Sequence, residues 1–151
     1  MQKPRATFFL ILFSLVCFTT PAENVPNFST MTDLGGGLIE GYEPQYGFFL
    51  YQDEKQTYFV LQRLSGYQGN KAMWEYVHYV VLPQYKSTQR FIYSFCQKNG
   101  VPDSRIAAIV LHEDKEMLDK VSIAWAADLK QKKIAQINTE GIACVNEGHN
   151  L

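Results

Sequence analysis

From Tyr46 onward the chain is a succession of short β-forming runs separated by short polar breaks. Residues 46–52 (YGFFLYQ) and 57–64 (TYFVLQRL) flank the polar link Asp53-Glu54-Lys55, the arrangement of a hairpin. Residues 65–70 form a turn cluster with two glycines. The longest run follows at 72–82 (AMWEYVHYVVL), where crowded β-branched and aromatic side chains disfavour a helix; Pro83 closes it. Residues 89–97 carry Cys96, and Asn99-Gly100 and Pro102-Asp103 are breaks. Residues 105–112 (RIAAIVLH) are apolar on both parities, which predicts a strand covered on both faces. A charged connector at 112–119 is expected to hold one helical turn at 116–119.

The next run has two readings. Across 120–128, Val121, Ile123, Trp125 and Ala127 alternate with Ser122, Ala124, Ala126 and Asp128, as in a strand. Leu118, Val121, Trp125 and Leu129 also share a helical spacing, and the alanines suit a helix. The strand is preferred. A polar turn at 128–133, a partner strand at 134–139, a short run at 142–144 and a polar tail at 146–151 complete the pattern. Seven short strands at regular spacing predict a mainly β fold, a small antiparallel sandwich or barrel. An α+β fold with residues 113–131 helical, or a two-layer sheet with one helix, stays open.

Upstream the pattern is lost. Residues 23–45 contain Pro26, Asn27, Ser29, Thr30, Gly35-Gly36-Gly37, Gly41 and Pro44 with no sustained period, and read as a flexible leader. The triple glycine lacks the Lys-Ser/Thr and the preceding strand of a phosphate loop. Asn27-Phe28-Ser29 matches a glycosylation acceptor, which matters only in a eukaryotic source. At the N-terminus, Lys3 and Arg5 precede an eleven-residue apolar run at 8–18, and small residues Thr20 and Ala22 precede a cut after Ala22. That order predicts a secretory signal, removed from the mature protein. The apolar run is shorter than the ~20 residues that span a bilayer core. A retained anchor is one alternative. Lipid attachment at Cys17 is another, disfavoured by Val16 in the place of a small residue. The expected organisation is therefore a signal peptide at 1–22, a leader at 23–45 and one β-rich domain at 46–151.

Cleavage changes the composition that matters. Of 151 residues, 129 remain after the first 22 are removed, enough for one domain with a core. The 14 basic side chains fall to 12, against 15 acidic ones. No basic block stands out beyond Lys130, Lys132 and Lys133, so neither a nucleic-acid footprint nor a polybasic membrane patch is expected. Loss of Cys17 leaves Cys96 and Cys144, an even pair that predicts one disulfide in an oxidising compartment. It is expected to pin the C-terminal tail to the middle of the fold.

Candidate chemistry adds little. His112, Glu113, Asp114 and Glu116 cluster with Glu147 and His149 elsewhere, yet they match neither the zinc-protease nor the calcium-loop spacing. There is no Gly-x-Ser-x-Gly elbow, and nothing selects a carboxylate pair among Glu40, Glu43, Glu75 and Asp128. No catalytic residue, metal ligand or cofactor is predicted. The aromatic bias is the unusual feature: 15 of the 17 aromatic residues after the signal lie between Tyr42 and Phe95. On the run at 72–82 one parity gives Trp74, Tyr76 and His78, an amphipathic set suited to an interface; Tyr67 joins it as a candidate. The other parity, Met73, Val77, Tyr79 and Val81, is the expected core face.

The closing stretch Ile142-Ala143-Cys144-Val145-Asn146-Glu147-Gly148 resembles small bacterial envelope proteins over these few residues alone, and the resemblance carries no function with it. The expectation is an exported, periplasmic or extracellular, non-enzymatic interaction protein such as an inhibitor, immunity or accessory protein. Its partner would be another envelope or secreted protein. A small-ligand or glycan-binding β-barrel is the alternative, and an envelope hydrolase without a recognisable motif the third.

Overall fold

The computed structural model describes residues 24–149. The predicted signal at 1–22 lies outside the described residues. Twelve strands follow one 3₁₀ turn (Phe28–Thr30): β1 (Thr32–Ile39), β2 (Tyr46–Gln52), β3 (Thr57–Gln68), β4 (Lys71–Val81), β5 (Gln89–Tyr93), β6 (Cys96–Lys98), β7 (Val101–Pro102), β8 (Ile106–Leu111), β9 (Met117–Leu118), β10 (Val121–Asp128), β11 (Lys133–Ile137) and β12 (Ile142–Val145). All pairings are antiparallel, and there is no α-helix among the described residues. The fold is mainly β and sandwich-like, with three open sheets in the orders β1-β2-β3-β4, β11-β10-β8-β5 and β7-β6-β12-β9.

The sheets are layered with the second in the middle. Ile39, Tyr46, Phe48, Phe59 and Leu61 of the first sheet side pack with Ala107, Ile109, Trp125, Ala127 and Ile134 of the second. The opposite face of the second sheet presents Ile106, Ala108, Val110 and Ala124 to Cys96, Leu118, Ile142 and Cys144 of the third. β8 therefore buries both its parities, which is why its sequence reads as a continuous apolar run. Each large side chain fully buried here stabilises by about 1.5–3 kcal/mol.

Twelve strands stand where about seven were expected because one run divides and β1, β7, β9 and β12 are added. The run at 89–97 breaks at Ser94, whose φ of 65° turns the chain out of the second sheet and into the third. Asn99 and Gly100, with φ of 52° and 78°, link β6 to β7 by a two-residue turn of the kind that needs two positive φ values. The expected helical turn at 116–119 is instead the short strand β9, paired with β12. Residues 120–128 are a strand, flanked by β8 and β11. Cys96 and Cys144 face each other across β6 and β12 and are joined, with an S–S distance of 2.04 Å.

Residues 32–39, expected to belong to a flexible leader, form an edge strand paired along β2. Their glycines have a packing role. A Cβ on Gly36 would lie 2.7 Å from the Phe48 carbonyl oxygen and 2.8 Å from Cδ1 of Phe49, so the missing side chain is where the Phe49 ring lies. On the other face, a Cβ on Gly37 would meet Ser94 Oγ at 2.7 Å. Ile39, at the end of this strand, is fully buried.

Candidate interaction site

The candidate interface residues on β4 do not share a face. His78 pairs with Leu61 while Tyr76 pairs with Gln62, so Val77 is an extra residue, a bulge that inverts the alternation. His78 points inward with Leu61, and its Nδ1 accepts a hydrogen bond from the Ile134 N–H at 3.2 Å, linking β4 to β11. Trp74 and Tyr76 lie on the outer face. Trp74 is half-buried against Phe49, with ring centroids 5.1 Å apart. Tyr67 stands exposed near the end of the β3–β4 hairpin, which a second bulge at Ser65 separates from the rest of the strand. The same register shift corrects the expected core parity: Val77 packs inward, whereas Met73 and Val81 are exposed and Tyr79 belongs to the outer aromatic layer.

The outer face of the first sheet is roofed by rings. Phe28, from the 3₁₀ turn, sits among Tyr51, Tyr58, Tyr76 and Tyr79. Beneath this layer Val60 is fully buried and Gln62 nearly so, its Nε2 donating to Tyr51 Oη at 3.4 Å. Burial raises the Tyr51 hydroxyl pKa. The depression beside Tyr76, bounded by Tyr46, Arg63, Glu75, Val77 and Lys132, holds about 170 Å³. That is below the size of usual small-molecule sites.

The larger concavity lies on the outer face of the third sheet and was not singled out by the sequence. It is an open groove of about 620 Å³, floored by Phe95, Gln97, Pro102, Met117 and Val145. Its apolar side chains are uncovered: Phe95 is 51% exposed, Val101 66% and Val145 38%. The first sheet supplies one wall through Glu40 and Tyr42, fixed to the floor by the Glu40 N–H donating to Ser104 Oγ at 2.9 Å. Arg105 completes the wall. Its Nε and one terminal nitrogen donate to the two oxygens of Asp103 at 2.9 and 2.7 Å, and its guanidinium lies 5.9 Å from the centre of the Tyr42 ring. These bonds to Arg105 hold the Asp103 carboxyl below its ordinary value and raise the Arg105 pKa in turn. The guanidinium is thus committed within the wall, with its charge matched there.

The floor is rigid for covalent and hydrogen-bonding reasons. The disulfide lies directly under it on the inward face of β6 and β12. The Val145 N–H donates to the Phe95 carbonyl at 2.9 Å and the Asn146 N–H to the Glu116 carbonyl at 2.8 Å. The groove thus presents an exposed apolar strip with a polar rim on a braced sheet.

Ser94 and Ser104 line the groove, but His78, His112 and His149 are not among its lining residues. His149 pairs instead with Asp114, Nδ1 to Oδ1 at 3.1 Å, on the connector before β9. Glu113, in the same connector, is held below its ordinary pKa by Lys120 and Lys115. Among the described residues no group of three or more His, Cys, Asp or Glu side chains is placed to hold a metal ion, and no helix is long and apolar enough to cross a membrane. Comparison with protein-family models, with curated proteins and with solved structures finds no match in any of the three.

Proposed function

We propose that the chain is an exported, non-enzymatic module of the bacterial periplasm or the extracellular space that binds another envelope or secreted protein, acting as an inhibitor, immunity or accessory protein. The observation that carries this reading is the groove, where Phe95, Val101 and Val145 stay exposed on a sheet braced by the Cys96–Cys144 bond. A buried aromatic anchor at the centre of an interface commonly dominates its binding energy, and Phe95 is the one aromatic on the groove floor. The disulfide supports an oxidising compartment, consistent with the signal pattern at 1–22. A glycan- or small-ligand-binding role at the aromatic residues of β4 has less support, because the depression beside Tyr76 is small and Trp74 is covered by Phe49.

The test is comparative capture from an envelope extract. The mature protein and a Leu34→Asp control, altered on the far sheet, should retain the same stoichiometric partner, and Phe95→Asp should lose it. Retention by Phe95→Asp, or repeated recovery of no partner, overturns the reading. N-terminal sequencing of the exported form, expected to begin at Glu23, checks the compartment separately.

A further inference from the structure

Phe28 occupies its place on the first sheet as a guest. The Phe28–Thr30 turn is capped by Asn27, whose side chain accepts from the Ser29 N–H at 3.3 Å and the Ser29 hydroxyl at 2.7 Å. The backbone bonds described for 26–31 are all internal to that turn: Phe28 N–H to Pro26 O, Thr30 N–H to Asn27 O and Met31 N–H to Phe28 O. The ring meets Tyr51, Tyr58, Tyr76 and Tyr79 at centroid distances of 5.3, 5.7, 5.9 and 5.8 Å, while Thr30 and the half-buried Met31 lie beside Gln52, Asp53 and Glu54. Tyr51 and Tyr76 lie within about 30° of its plane, at 30° and 28°; Tyr58 and Tyr79 meet it edgewise, at 75° and 69°. Offset and edge-to-face contacts of this kind are the favoured aromatic geometries.

The box is held by groups other than its guest. Tyr51 Oη accepts from Gln62, and Tyr58 Oη accepts from Gln56 Nε2 at 2.5 Å and donates to Asp53 Oδ2 at 3.0 Å. Tyr79 is set against Tyr58 and Tyr76 at 5.8 and 6.2 Å. The four rings come from the central and edge strands of one continuous sheet, β2, β3 and β4.

We propose that this four-tyrosine box is a binding site for an aromatic side chain carried on a partner polypeptide, filled in the free protein by the chain's own Phe28. Residues 25–31 are then a tethered competitor. They leave as a unit because their hydrogen bonds are their own, and the occupant they model is a phenylalanine on a short capped turn. This site is distinct from the groove on the third sheet and stands or falls independently of it.

The probe is the blocked peptide of residues 25–31, VPNFSTM, with the same peptide bearing alanine for phenylalanine as control. Each is titrated into the wild-type protein and into Phe28→Ala, followed by the ring resonances of Tyr51, Tyr58, Tyr76 and Tyr79. Phe28→Ala should bind the phenylalanine peptide saturably and ignore the control. Wild type should bind more weakly, by about one plus the ratio of the tether's effective concentration, on the order of millimolar, to the peptide's own Kd. Near-UV circular dichroism of the buried Trp125 establishes that the variant is folded; should it not be, Phe28→Leu, which fills the box without a ring, is titrated in its place. No saturable shift in a folded variant, or equal affinity for variant and wild type, overturns the proposal.

Discussion

Replacing Cys96 and Cys144 together by alanine removes a cross-link that spans 48 residues of sequence. In the chain-entropy account, opening a loop of that length returns about 14 cal/mol/K to the unfolded chain, or about 4 kcal/mol at 25 °C. Both sulfurs are buried in the second core, so alanine also leaves a small void, adding about 1 kcal/mol. The sum, about 5 kcal/mol, rivals the whole net stability of many domains of this size. Urea unfolding followed by tryptophan fluorescence, with Trp125 buried in the core, should show the midpoint falling by roughly 2–3 M, with a slope that rises because the unfolded chain is no longer cross-linked. Hydrogen exchange gives the spatial form of the same prediction. Amides of β12 should exchange by local opening of the third sheet, while Leu61, in the core between the first and second sheets, should lose no more protection than the fall in global stability. A loss below 1 kcal/mol would refute the entropic reasoning; equal protection at Leu61 and β12 in the variant would refute the separation of the two cores.

Two further substitutions probe the wall and the glycine strand. Gly36→Ala places a methyl group against the Phe48 carbonyl and the Phe49 ring and should destabilise by about 1–3 kcal/mol in thermal or urea unfolding, whereas Leu38→Thr, on an exposed position of the same strand, should stay within about 0.5 kcal/mol. A tolerated alanine at Gly36 would mean that Phe49 does not need the bare strand. Asp103 has a folded pKa lowered below 3.8 by Arg105, so its contribution is present above that unfolded value and is lost as pH falls through the folded one. Asp103→Asn should therefore be less stable at pH 7 and lose less on acidification below about pH 4; an unaltered acid limb would show that the pair contributes nothing.

How much of this was legible follows from what each feature is made of. The doubly apolar β8 announces burial on two faces because every side chain carries the signal, and the disulfide follows from an even cysteine pair. β1 is hidden for the opposite reason. Alternation counts side chains, and at Gly36 it is the lack of one that packs, beneath Phe49. The bulge at Val77 is invisible because it exists only relative to a partner strand with one residue fewer. That single offset moved His78 into the interior and Tyr79 out of it. The groove had no local motif to find, since Glu40, Phe95, Val101, Met117 and Val145 meet only after three sheets are stacked. Phe28 drew notice only as the middle of an acceptor tripeptide, and its four partners lie 23 to 51 positions away.

The layering also sets an order of assembly during synthesis. The first sheet is contiguous, residues 32–81, and completes itself through neighbouring hairpins. The other two sheets alternate along the chain: β5, β8, β10 and β11 belong to one, and β6, β7, β9 and β12 to the other. β12 sits between β6 and β9, so the third layer stays open until nearly the last described residue has emerged. A nascent chain thus holds a finished meander whose Phe48, Phe59 and Leu61 face solvent until β8 and β10 arrive to cover them. Long-range pairings form late and leave apolar surface exposed meanwhile. The interval between residues 81 and 128 is where this protein most needs protection from its neighbours.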